Sequence, residues 1–258
     1  MLTWLRELDE LLRGQKTQAN ELMAGRLRLP LRRFVTIAVL LGALYGFFMG
    51  WFAVFSRTPP NYPQVLASTL KLPALFLLTL VVTFPSLYVF NALVGCRLTW
   101  NTTLRLLVGA VVVNLAIAAS FGPILGFFTF STESYPFIVL LNVILLGLAG
   151  IVALSFLLRV LRNTARHQAL PPPTDRSESE DAAGAPLTEL DRPPDESLGQ
   201  ARLVFRLWVL IYGLVGAQMG WLLRPFIGAP ELPFVWLRPR SGNFFQAVTA
   251  VLQSFFEQ

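Results

Sequence analysis

The stretch FVTIAVLLGALYGFFMGWFAVF, Phe34–Phe55, decides the fold class, because it carries no charged residue and follows directly on Arg32 and Arg33. A helix rises 1.5 Å per residue, so about 20 apolar residues cross the ~30 Å hydrocarbon core of a bilayer. Four further runs share its character, at Leu72–Gly95, Leu106–Phe128, Phe137–Leu158 and Leu203–Leu223. None contains Asp, Glu or Lys, and the one charge among them, Arg206, lies a turn from an end, where its side chain can reach the interface. The composition agrees. Of 258 residues 54% are hydrophobic and only 14% charged, against roughly a quarter charged in a soluble domain. The expected fold is all-α, an integral membrane bundle of about five transmembrane helices with amphipathic interfacial helices at both ends.

The chain divides by composition. Residues 1–33 read as a cytoplasmic amphipathic segment, 34–162 as a membrane domain of four spans, and 163–202 as a linker. Residues 203–223 then form the fifth span, and 224–258 an external cap with an amphipathic C-terminal helix. In the first segment Met1, Trp4, Leu5, Leu8, Leu11 and Leu12 recur at helical spacing, opposite Arg6, Glu7, Asp9, Glu10 and Arg13. This charged start offers no apolar core for a signal peptide. Asn61 and Pro63 suggest a short surface helix joining the first two spans. In the linker, Pro171–Gln200 holds eight acids, two arginines and six prolines, a composition that buries too little to order itself. At the C-terminus Phe244, Phe245, Val248, Val251, Leu252, Phe255 and Phe256 form an apolar stripe.

Arginine placement orients the spans. Arg6, Arg13, Lys16, Arg26, Arg28, Arg32 and Arg33 precede the first, and Arg159, Arg162, Arg166 and Arg202 lie between the fourth and fifth. The loop TFSTESYPF between the third and fourth has no positive residue. Short basic loops stay in the cytoplasm, so the N-terminus is expected inside and the C-terminus outside. Arg224, Arg238 and Arg240 of the external cap run against this rule, which terminal tails obey weakly.

Chemistry is narrowly bounded. A protein-built zinc site or a disulfide needs more than the one histidine, His167, and the one cysteine, Cys96, and a Cys-His pair needs the two close together. There is no intramembrane carboxylate for ion coupling, and no phosphate-binding glycine loop or nucleophile elbow. No catalytic, cofactor-binding or metal-binding residue is expected, and no enzyme activity. The net charge of +6 points to membrane lipid rather than nucleic acid. What remains is packing and polarity. Gly42, Gly46 and Gly50, spaced four apart, and Gly213, Gly216 and Gly220 let helices approach closely, either within the chain or at a subunit interface. Gly122 and Gly126 repeat the pattern in the third run. Asn91, Asn114, Asn142 and Gln218 need hydrogen-bond partners in hydrocarbon and are expected to face the bundle interior, as helix glue or as a pore or ligand lining. Pro85 and Pro123 are expected to kink their helices.

Several stretches resemble a family of uncharacterised bacterial multi-span membrane proteins. They are ELDELLRGQ, LYGFFMG, FPSLYVFNALVG, FSTESYPFIVLLNV and GLVGAQMGWLLRPFIGAPELPFVWLRPRSGNFFQAV. The resemblance spans nearly the whole chain outside the acidic linker and implies a bacterial inner membrane location, but no activity. The five-span layout is also similar to the Yip1-type membrane domain. The function expected from these features is a non-enzymatic structural or accessory subunit that binds another membrane protein or its own copies. An oligomeric channel is the alternative and a solute transporter the third reading.

Overall fold

In a computed structural model the described residues are 9, 30–56, 59–93, 100–168, 194–228, 231–239 and 242–256. They are all-α, in seven elements: α1 (Leu31–Gly50), the one-turn α2 (Phe52–Phe55), α3 (Tyr62–Leu93), α4 (Trp100–Ser131), α5 (Tyr135–Gln168), α6 (Pro194–Leu223) and α7 (Phe244–Phe256). Helices over Leu31–Phe55, Tyr62–Ser86, Thr103–Ser131 and Tyr135–Val160 are long and apolar enough to cross a membrane, and Leu207–Leu223 is a shorter apolar stretch within α6.

The expected surface helix at Asn61 does not stand apart. The Gln64 backbone N–H donates to the Asn61 carbonyl, and the helix then runs unbroken through Pro73 and Pro85 to Leu93. Pro63 falls in its first turn, where its missing N–H would have had no intrahelical partner. Pro123 likewise lies inside a continuous α4. The linker expected over 163–202 is narrowed from both sides, since α5 continues to Gln168 and α6 begins at Pro194. Its middle, 169–193, lies outside the described residues, as does the N-terminal amphipathic segment except for Asp9 and the start of α1.

α1 is the central element, packed along its length between α3 and α4. α5 lies on α4, and α6 lies on the far side of α3. The order across the bundle is therefore α6, α3, α1, α4, α5, bent so that α3 also touches α4, while α5 and α6 meet only slightly. Two apolar clusters fill the interior. One joins Phe34, Ile37, Leu107, Val112, Leu157 and Trp208. The other joins Tyr45, Met49, Phe52, Leu72, Leu125 and Ile138.

The glycines of α1 explain why α1 and α3 come so close. A methyl group added at Gly46 would lie 2.5 Å from the Ser68 carbonyl oxygen, and one at Gly50 would lie 2.6 Å from the Val65 Cα. At Gly42 it would meet Pro73 at 3.0 Å. All three neighbours include backbone, which cannot swing away as a side chain can. In hydrocarbon, helices gain nothing from burying apolar surface, so this close backbone contact supplies the dispersion that holds them together. The groove lies within one chain. Gly122 and Gly126 of α4 do the same for a ring: added methyls would lie 2.5 and 3.0 Å from Phe48, which sits in the notch they leave.

Gly213, Gly216 and Gly220 do not repeat the theme. A methyl at Gly213 would touch nothing within 4 Å, one at Gly216 would make an ordinary contact with Thr79, and one at Gly220 would barely reach Leu75. The contrast gives a direct test. Gly46→Ala should destabilise the solubilised protein by about 1–3 kcal/mol, the usual cost of overpacking, even though Ala favours helix over Gly by about 1 kcal/mol. Gly213→Ala should be neutral or slightly stabilising. Thermal unfolding in one detergent compares the two, and equal effects would refute the close-packed reading.

Candidate functional site

The segment after α6 folds back over one end of the bundle, held there by a polar face of α3. Gln64, Ser68 and Lys71 stand at i, i+4 and i+7, which places them on one side of the helix. The Gln64 amide donates to the carbonyls of Pro225 at 3.2 Å and Phe226 at 2.8 Å, and the Ser68 hydroxyl also donates to Phe226. The Lys71 ammonium donates to the Pro225 carbonyl at 3.0 Å and to that of Trp236. Lys71 is only 6% exposed and lies 5.9 Å from the Trp236 ring centre. A buried ammonium needs such a cage, because carbonyl oxygens and an aromatic face replace part of the water it has lost. Gly228 completes the seat: a methyl there would lie 2.9 Å from Ala53 and 3.1 Å from Gln64. None of Gln64, Ser68 and Lys71 is among the site residues expected from the sequence, although their spacing marks a polar face.

The expected cap arginines separate. The Arg224 guanidinium lies 3.4 Å over the Trp221 ring, donates to the Pro239 carbonyl at 2.6 Å, and is followed by a cis peptide bond to Pro225. The Arg238 amide donates to the Arg224 carbonyl at 3.3 Å, which sets the two arginines side by side. Partial burial, and then the nearby Arg238 charge, hold the Arg224 guanidinium below its ordinary value. An arginine so shifted remains charged. Arg240 lies outside the described residues. α7 follows behind a reciprocal cap, in which the Gln246 amide donates to Asn243 Oδ1 at 2.9 Å and the Asn243 amide to Gln246 Oε1 at 3.1 Å. Just before it, Gly242 takes a φ of +70°, a conformation costly to residues with a Cβ. The α7 stripe divides: Phe244, Val248 and Val251 turn to the bundle, while Phe245 and Leu252 are exposed.

Beneath this end lies a cavity of about 1030 Å³, bounded by α3, α4, α5, α6 and α7. It occupies the side where α5 and α6 barely meet, and α7 covers its end. Its walls are mainly apolar. Gly213, Gly216 and Gly220 line the α6 side, so the glycines expected to pack a helix instead leave space, and Arg224 and Arg238 stand at the capped end.

The polar residues expected at membrane depth have different fates. Asn142 accepts from the Tyr45 hydroxyl at 3.0 Å and donates to the Ile138 carbonyl at 3.0 Å, so it ties α5 to α1. Asn114 is 9% exposed and lines the cavity, and its Oδ1 has no hydrogen-bond partner. Gln218, expected to face the interior, is exposed. α6 turns Trp208, Tyr212, Gly216 and Gly220 toward α3 and the cavity, and two residues beyond Gly216 at 100° per residue point away. The side chain of Asn91 lies outside the described residues. Trp208 and Tyr212, not among the expected site residues, hold α6 in place by donating to the α3 carbonyls of Thr83 at 3.2 Å and Phe76 at 3.4 Å.

Removing the Lys71 ammonium without changing its length should loosen the cap while leaving the helices intact. Lys71→Met is expected to lose about 1–3 kcal/mol through the carbonyls it leaves unpartnered. It should also raise hydrogen exchange at 226–239 with unchanged helical circular dichroism. Unaltered exchange there would show that the cap does not depend on this residue.

No protein-family model, no curated protein and no solved structure matches the chain, so its functional reading rests on its own residues.

Proposed function

We propose that the chain is a five-span protein of a bacterial inner membrane, N-terminus cytoplasmic and C-terminus external, that works without catalysis as an accessory subunit of another membrane protein. A fifth crossing is supported by α6. Its apolar stretch Leu207–Leu223 measures about 26 Å at 1.5 Å per residue, close to the hydrocarbon thickness, and its helix continues well beyond that on the N-terminal side.

The observation that carries the subunit reading is the cap. It is seated on α3 by buried polar contacts, yet it presents Leu232, Val235, Trp236 and Leu237 to the outside. Exposed apolar side chains grouped on an ordered platform are the usual mark of an interaction surface. The channel reading loses support at two of the residues that suggested it. Asn142 is bonded inside the chain and Gln218 lies away from the cavity. The α1 glycine face, filled by α3, is not open to a second copy.

Two measurements test this. With Cys96 replaced by Ser, a cysteine at position 241 should react with a membrane-impermeant thiol reagent from outside, and one at 177 only after permeabilisation. Labelling of 177 in intact cells would sink the topology. Purified in mild detergent, the chain should bring with it one different membrane polypeptide, which Leu232→Asp combined with Leu237→Asp releases. A particle whose polypeptide mass is one or a whole number of 28.7 kDa copies would overturn the accessory role.

A further inference from the structure

The cavity between α5 and α6 has no part in the accessory reading and has the features of a ligand site. Its volume, about 1030 Å³, lies at the upper end of the ~300–1,000 Å³ range of small-molecule pockets. Along α6 its lining runs from Trp208 to Arg224, about 24 Å at 1.5 Å per residue. The space is therefore long rather than round, and it runs along the α6 axis. Glycines at 213, 216 and 220 keep one wall free of side chains, and opposite them stand Val139, Val143, Leu146 and Ile151. Water has few partners among such walls.

Thr79, Tyr135, Asn142 and Tyr212 also line the cavity, but two places stand out by charge or by an unmet polar atom. Among the described residues, Arg224 and Arg238, at the capped end, are the only charged ones that line the cavity, and no acid lines it. Two like charges set side by side repel, and an anion between them removes that cost. Deeper in, the Asn114 Oδ1 is a buried acceptor without a donor, a state that is costly until something supplies one.

We propose that this cavity binds one anionic phospholipid, its phosphate head between Arg224 and Arg238 and one of its two acyl chains along the glycine wall of α6. Basic pockets between membrane helices hold lipid phosphates in this way, and the scant contact between α5 and α6 gives the chain a side entry from the bilayer. An acyl chain carries no hydrogen-bond donor, so a water drawn in beside it meets the Asn114 Oδ1.

The test uses the full chain in detergent, titrated with phosphatidylglycerol, with phosphatidylcholine of the same chains, and with inorganic phosphate. Phosphatidylglycerol should raise the unfolding temperature by several degrees more than phosphatidylcholine, and native mass spectrometry should find one copy retained. The double variant Arg224→Gln with Arg238→Gln should weaken retention at least tenfold, while Arg224→Lys with Arg238→Lys keeps most of it. Gly213→Trp has open space for its first atoms and should leave helicity unchanged while abolishing retention. Equal stabilisation by both lipids, with retention unaffected in the glutamine variant, would overturn the proposal. So would a full shift from inorganic phosphate alone, which would mean a site for a free anion. A stoichiometric single-span polypeptide expelled by Gly213→Trp would instead assign the cavity to a partner helix. Loss of the accessory partner in the cap variants leaves these outcomes unchanged, so the two readings fail separately.

Discussion

At Gly46 one added methyl would stand 2.5 Å from a backbone oxygen of the neighbouring helix, and much of the bundle is arranged around that contact. Because α1 and α3 meet backbone to backbone, α1 is thin enough on that face to sit between α3 and α4. Its other side then holds α4, and one side chain reaches past to α5. Phe48 enters the notch at Gly122 and Gly126, and the Tyr45 hydroxyl reaches Asn142. Three glycines, a ring and one hydrogen bond thus tie together the four long apolar helices, in a solvent that gives apolar surfaces no reason to leave it.

The same close approach leaves α3 with two duties in its first third. One face, at Val65, Ser68 and Pro73, receives the glycines, while Gln64, Ser68 and Lys71 anchor the segment after α6. Ser68 serves both, through its carbonyl on one side and its hydroxyl on the other. A lysine inside an apolar helix is costly unless its donors are met, and here the carbonyls of Pro225 and Trp236 meet them. The cap is therefore held chiefly by its own backbone carbonyls, which an irregular, proline-rich chain leaves available because it has no helix of its own to bond within.

α6 is held differently. It packs on α3 through Trp208 and Tyr212, two aromatic donors that find α3 carbonyls, and its glycines are not filled by a neighbour. That side of the molecule stays open between α5 and α6, with α7 laid across the end. The contrast between a filled glycine face in α1 and an unfilled one in α6 divides the molecule into a tightly packed part and a part with room in it.

The helical class and the positions of the apolar helices were legible in the sequence, because length and hydropathy depend only on local composition and on bilayer thickness. The reciprocal cap of α7 could also have been read, since Asn243 and Gln246 are three residues apart. Lys71 was missed for a physical reason. An apolar run begun at Leu72 leaves the lysine at its border, whereas the helix starts at Tyr62 and encloses it, its charge met by carbonyls more than 150 residues away. The two glycine triplets look alike in the sequence, and nothing local says that one is filled and the other open. The same holds for Asn114 and Asn142, identical residues of which one finds a tyrosine and the other an empty space. Composition and periodicity decide which segments become helices. Which face meets which neighbour depends on contacts far apart in the chain, and these only the tertiary structure decided.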